Sequence, residues 1–489
     1  MSADALIEAE QVAGSAAPDA DHDHMSRGTA RVASTAVFRQ VIGSALLAVT
    51  AAIVARTLGA STFGAYANGT AAYYLAIAFT DLGFGLVAAR EIAKRPGEEA
   101  RLWTSTMQVQ VAWSALIAVG LLGLGLSTGG VRGDVMVVLC PAVLVSGFTS
   151  ARQLFMVRYR ASPLLIVDLT TSALLAATMS GLALAGAGPV AIAGALSVCT
   201  CLNTIAVAIL ARRMVGVARV DHRDRLGILR MALPVGIASL LASLYFTIDQ
   251  VLLGWLVPSH DLGQYAAAVK LLSLLVMVPG ILMVAAMPGL ARSSDDRAKL
   301  SRFAGTLAHW LAVTALPLAV GLMVFARPAI ELAFGHAYEP AIPLLRILMA
   351  AGVVTLASNV LGNVLMSLAV IRVMLVFNVI SLTVNVSGNI VLAPRYGVTA
   401  SAWLTLACEL LVVGNSVVLA RRHVSYRAVL ARVWRPAVAT LIGAVVGLLF
   451  GPSEPYALPL AAAAFFAAVA VLRAWPVELM PVRWRAIKA

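Results

Sequence analysis

Residues 55–101 read ARTLGASTFGAYANGTAAYYLAIAFTDLGFGLVAAREIAKRPGEEAR. The segment opens on an uncharged turn from Leu58 to Gly64 and runs on through apolar sequence broken by one acid, Asp81. It closes on a basic cluster of Arg90, Lys94, Arg95 and Arg101. An uncharged loop at one end and a Lys/Arg-rich loop at the other is the layout of a helical membrane hairpin.

The rest of the chain extends that reading. Of 489 residues, 61% are hydrophobic and 12% charged, far from the balance of a water-soluble domain. Apolar runs of membrane-spanning length recur nearly throughout. They give about fourteen spans, near 33–57, 64–89, 102–127, 134–157, 163–186, 189–211, 231–257, 262–290, 303–326, 341–368, 371–394, 398–420, 431–451 and 456–474. The expected fold is therefore an all-α integral membrane protein.

Charge in the gaps tests the count. Alternate gaps and the two tails hold 29 of the 36 Lys and Arg residues. The opposite side holds only Arg56, Arg132, Arg327 and Arg395, and Arg39, Lys270 and Arg346 lie inside spans. Such a split places both termini in the cytoplasm of a bacterial (inner) membrane protein. It also accounts for the +13 net charge without nucleic acid. Cys140, Cys199, Cys201 and Cys408 all lie in apolar runs, so neither disulfides nor zinc are expected. Residues 1–32 lack an apolar core and read as a disordered cytoplasmic tail, whose Asp21-His22-Asp23-His24 is the one conceivable metal cluster. No signal peptide is visible.

The chain repeats itself. A shift of 199 residues sets Phe63-Gly64-Ala65-Tyr66-Ala67 on Leu262-Gly263-Gln264-Tyr265-Ala266. A shift of 209 sets Gly188 on Gly397 and Ala211-Arg212-Arg213 on Ala420-Arg421-Arg422. Two parallel six-helix lobes follow, with about ten residues inserted late in the second, in the stretch from Arg327 to Pro340. The expected divisions are 33–213, a basic cytoplasmic linker at 214–229, 230–422, and an appended pair of helices with a tail at 423–489.

Several stretches resemble the Wzx-type polysaccharide transporters of the multidrug/oligosaccharidyl-lipid/polysaccharide exporter superfamily. They are Ala55, Arg56, Leu58, Gly59, Phe63, Gly64 and Tyr66 with Asp81-Leu82-Gly83; Asp249 to Gly254 with Gly263 to Lys270; Phe334 to Pro340 with Leu344 to Leu348; and Asn385, Asn389 and Ala393 to Gly397. The resemblance implies a flippase moving polyprenyl-pyrophosphate-linked oligosaccharide repeat units across the membrane. Its partners would be that glycan, membrane lipid, and the polymerase and glycosyltransferases of the same pathway.

The chemistry is consistent with transport. There is no G-x-x-x-x-G-K-[ST] phosphate loop and no loop large enough for a catalytic domain. No cofactor is implied. Ionisable residues inside spans cost about 2.5–3.5 kcal/mol each on insertion scales and so mark candidate sites. Arg39, Lys270, Asp249 and Asp81 are the substrate-binding candidates, and Glu409 and Asp168 the coupling candidates. Arg39 suits a phosphate, with snorkelling to the interface as its alternative. Asp249 and Lys270 fall at similar depth on adjacent helices and are expected to pair. Tyr73, Tyr74 and Tyr245 could stack on sugars or simply pack. Two other functions stay open: a cation-coupled drug exporter, which would favour an acidic cavity, and a membrane-embedded glycan polymerase or glycosyltransferase, which would need a large outer loop.

Overall fold

The computed structural model describes residues 42–95, 97–158, 161–293, 296–368 and 371–475, with side chains left undescribed at scattered positions within these ranges. The amino-terminal tail with its Asp/His cluster, Arg39, and the carboxyl tail lie outside them. Among the described residues every regular element is helical and none is a strand. Ten of these helices are long and apolar enough to cross a membrane, or eleven if a pair bent by 48° at Pro234–Ser239 is one span. Two of the ten are 53 and 45 residues long, about 80 and 68 Å at the helical rise and too long for one crossing. Each breaks at a glycine: Gly59 (φ 72°) and Gly397 (φ 64°) sit in the left-handed region that L side chains avoid.

In chain order, α1 spans 42–58 and α2 60–81. Leu82 and Gly83 turn the chain through positive φ into α3 (Phe84–Lys94). Then come α4 (Glu99–Thr128), α5 (Gly130–Val145), α6 (Ala151–Val157), α7 (Ala161–Leu184) and α8 (Pro189–Val215). Between α8 and α9 the chain is non-helical from 216 to 221, within the stretch 214–229. Asp221 and Asp224 form a capping box that starts the next helix early.

The second half holds α9 (His222–Leu256), α10 (Ser259–Ser293), α11 (Arg297–Val324) and the short α12 (Ala326–Phe334). It continues with α13 (Ala341–Ser367), α14 at 371–396 and α15 at 398–420. The last two helices are α16 (Tyr426–Leu449) and α17 (Ala457–Val471). At 15 residues, α17 is shorter than a full span, and the count of fourteen stands as a sequence expectation. The stretch singled out as an insertion, from Arg327 to Pro340, carries most of α12 and a 3-10 turn at His336–Tyr338.

The halves meet chiefly where α2 packs on α9 and α10. Ala60, Phe63, Tyr66 and Tyr338 are buried at the seam alongside Leu262. Glycine is required at its tightest point. A Cβ on Gly64 would fall 1.9 Å from Ser259 O, and one on Gly263 1.9 Å from Ala60 O. These two glycines are the pair equated by the 199-residue shift. Close backbone approach through small residues is how helices associate where hydrocarbon offers no hydrophobic drive.

Candidate functional site

At the arginine-poor end of the bundle, three of the few arginines expected there hold backbone or acids. The Arg56 guanidinium donates to the carbonyls of Glu331, Leu332 and Ala333, the last turn of α12, where the helix dipole is negative. Arg132 donates to Gly254 O and Ser259 Oγ at the α9–α10 turn. Each arginine comes from one half and grips the other. Arg327 pairs with Glu331 at 3.3 Å and Glu339 at 2.6 Å. Tyr338 Oη donates to Ala55 O (2.8 Å) and Asn68 Nδ2 to Gln250 O (2.9 Å), completing a closed seam.

At the basic end, Arg101 makes a two-pronged contact with Asp224, Nε to Oδ2 and Nη2 to Oδ1, both at 3.0 Å. Leu82, Phe84 and Val87 pack there against Ile228 and Ala232.

Between these ends lies a cavity of about 230 Å³ bounded by α1, α2, α10 and residues of α7 and α8. Ser44, Thr50, Tyr66, Thr70, Tyr74 and Lys270 supply its polar groups. No carboxylate among the described residues lines it. Lys270 has no carboxylate partner among the described residues within 4.0 Å, so the cavity carries a net positive group and hydroxyl donors. That combination can bind an anion such as a phosphate.

The expected Asp249–Lys270 ion pair does not form. Depth matches but direction does not: Tyr265 faces Asp249, and Lys270, five residues on, is rotated by roughly 140° at 3.6 residues per turn. Asp249 turns instead into a small cavity of about 60 Å³ inside the second half, which Glu409 also lines. Its Oδ2 accepts 3.4 Å bonds from Tyr265 Oη and Thr405 Oγ1, and Asn385 lines the same cavity. Glu409 accepts from Tyr245 Oη at 2.9 Å and Ser358 Oγ at 3.4 Å. Tyr245 is thus a carboxylate ligand. Two buried carboxylates fed, among the described residues, by neutral donors can exchange a proton or take a small cation. No group of three or more His, Cys, Asp or Glu suited to a metal ion occurs among the described residues.

Asp168 is held in the first half by Arg152, Nη1 to Oδ2 at 2.8 Å and Nη2 to Oδ1 at 2.6 Å. Asn203 bridges both, accepting from Arg152 and donating to Asp168 at 3.0 Å. Asp81 is exposed at the α2–α3 break, its Oδ1 beside Gly85 at the start of α3, away from both cavities. There a negative charge suits the helix amino terminus. Tyr73 and Tyr74 pack ring to ring at 5.1 Å, and only Tyr74 reaches the cavity wall. His309 bonds Arg432 O at 2.8 Å. Sequence reasoning missed Arg152, Asn203 and the Arg56 and Arg132 contacts, which join residues far apart in the chain with no shared period.

Comparison with known proteins then places the architecture. Residues 32–294 match the family model described as polysaccharide biosynthesis protein, and residues 234–391 match the MatE model. No curated protein matches the sequence at a significant level. Among solved structures, the lipid II flippase MurJ in an inward closed conformation aligns at a TM-score of 0.70 and 13% identity, covering 90% of this chain and 98% of that one. An inward-facing multidrug resistance MATE transporter of the MOP superfamily aligns at 0.62 and 16%, covering 78% and 94%. The eukaryotic MATE transporter AtDTX14 aligns at 0.56 and 14%, covering 91% and 98%. At these identities the likeness is one of fold.

Proposed function

The chain belongs to the polysaccharide biosynthesis protein family, a multi-pass membrane protein with the fold of the MOP-type transporters, and from that premise we propose that it flips a polyprenyl-pyrophosphate-linked oligosaccharide repeat unit from the cytoplasmic to the outer leaflet of the bacterial cytoplasmic membrane. The observation that carries the reading is the cavity between the halves, with the Lys270 ammonium on its wall and no carboxylate beside it among the described residues. Pyrophosphate is the anion such a wall suits. The glycan would occupy the cavity while the prenyl tail stays in the bilayer. Rocking of the two lobes would then alternate which end is open.

The conformation described fits one half of that cycle. The arginine-poor end, proposed to face outward, is sealed by Arg56, Arg132, Tyr338 and the Gly64–Gly263 contact. Asp249 and Glu409 sit apart from the substrate cavity, where a coupling ion could bias the lobes without meeting the glycan. Glycosyltransferases would supply the unit and a polymerase consume it.

A second reading, a cation-coupled small-molecule exporter, draws on those same carboxylates and on the MatE match. Deleting the gene separates the two. A flippase defect leaves the complete lipid-linked unit accumulated on the cytoplasmic face. An exporter defect leaves the glycan lipid unchanged and raises drug sensitivity instead.

A further inference from the structure

The Lys270 cavity has a neighbour. A second cavity of about 360 Å³ lies in the first half, lined by Ser44, Arg152, Asp168, Ser172, Thr200 and Asn203 among others. Its volume falls in the range of about 300–1,000 Å³ typical of small-ligand sites. Ser44 and Leu47 of α1 line both cavities, so the two adjoin along one turn of that helix.

Their chemistry differs. Among the described residues the Lys270 cavity carries a positive charge that no carboxylate balances. In the recess the Arg152 and Asp168 charges cancel through two hydrogen bonds of 2.8 and 2.6 Å, and Asn203 ties the pair to Thr171 Oγ1 at 2.7 Å. Among the described residues what remains is a wall without net charge that offers guanidinium and hydroxyl donors together with carboxylate, amide and hydroxyl acceptors. Phosphate gains little from a neutralised arginine. A sugar ring, whose every hydroxyl both donates and accepts, matches such a wall.

The bland account is that Arg152, Asp168 and Asn203 only tie α6, α7 and α8 together. That tie needs no open volume beside it. Polar groups at membrane depth are costly, yet Ser172 and Thr200 add further polar side chains to the lining.

We propose that this recess is the glycan subsite: it takes one or two neutral sugar residues of the substrate while Lys270 takes the pyrophosphate. The proposal rests on the flippase reading above, and divides the substrate between two adjoining sites. Asn203 and Ser172 contact the sugar. Arg152 and Asp168 hold Asn203 in place and fix the neutrality of the wall.

The test measures two affinities on the purified full-length protein. One probe is inorganic pyrophosphate. The other is the oligosaccharide released from the host's own lipid-linked unit and freed of phosphate. Asn203→Ala and Ser172→Ala should each weaken oligosaccharide binding about tenfold and change pyrophosphate binding less than twofold. Lys270→Ala should do the reverse. Gly43→Val tests the space itself. A Cβ at Gly43 stands 4.0 Å from Ser172 Oγ with nothing nearer, so the added carbons enter the recess without removing a hydrogen bond, and oligosaccharide affinity should again fall. Equal loss of both affinities in Asn203→Ala would reduce the trio to a structural tie and overturn the proposal, as would unchanged oligosaccharide binding in all three recess variants. Failure of the parent to bind the oligosaccharide saturably at millimolar concentration would overturn it too. Pyrophosphate binding that survives Lys270→Ala counts against the flippase reading of the central cavity and leaves the recess result to stand by itself.

Discussion

Gly64 and Gly263 touch across the seam between the halves: a Cβ added to Gly64 would lie 2.7 Å from Gly263 N, inside any real contact distance. The atoms opposing each glycine are backbone, so they cannot swing aside. Gly64→Ala or Gly263→Ala must push α2 and α10 apart, at a cost of about 1–3 kcal/mol for overpacking. Thermal unfolding in detergent should show a lower midpoint for each single variant. The double variant should lose less than the sum, since one separation accommodates both methyl groups.

Arg56 and Arg132 both reach from the first half across the seam to the second. Each Arg-to-carbonyl set is worth roughly 1 kcal/mol net at this partly wet surface. Arg56→Ala with Arg132→Ala should shift the population toward opening of the arginine-poor end. Spin labels on exposed Ser61 and Leu332 would report it as a longer, broader distance distribution. A distribution identical to that of the parent would mean that the seam is held without the arginines.

Asp249 and Lys270 line different cavities, so exchanging their charges should rescue neither single loss. Asp249→Lys with Lys270→Asp is expected to be at least as defective as either single variant, measured as transport at equal membrane abundance. Recovery of both would show that the two side chains meet in some state of the cycle.

Asp296 accepts hydrogen bonds from the backbone of Lys299 (3.1 Å) and Ala298 (2.8 Å) at the start of α11. Those amide donors, the Lys299 one first, hold its carboxyl below the usual aspartate range. Because the folded value is depressed, the stabilisation is present at neutral pH and fades as pH falls through the folded value. Asp296→Ala should therefore lower the unfolding midpoint slightly at pH 7, with the difference from the parent shrinking in acid.

The sequence made the membrane architecture legible because span length and loop charge are one-dimensional signals. Residues 55–101 already contained a hairpin, and the 199-residue shift already paired the two glycines that the fold brings together. Azimuth was harder. Lys270 could be seen as a charge in a span, but equal depth with Asp249 suggested a partner that helix rotation denies it. Glu409 and Asp249 share a cavity although 160 residues separate them in the chain, a meeting set by how α9 and α15 pack. Arg152 reads as one more loop arginine until the chain turns at Ser146–Phe148 and α6 carries it to Asp168 on α7.

The charge on the cavity wall is the core of the proposal, so the leaflet distribution of the host's lipid-linked oligosaccharide in a gene-deleted strain tests it most directly. A membrane-impermeant lectin applied to spheroplasts counts units on the outer leaflet. Complementation with the parent should restore outer-leaflet units, and Lys270→Arg should restore much of them. Lys270→Ala at equal abundance should leave them on the cytoplasmic side. A parent-like outer-leaflet signal from Lys270→Ala would contradict the account.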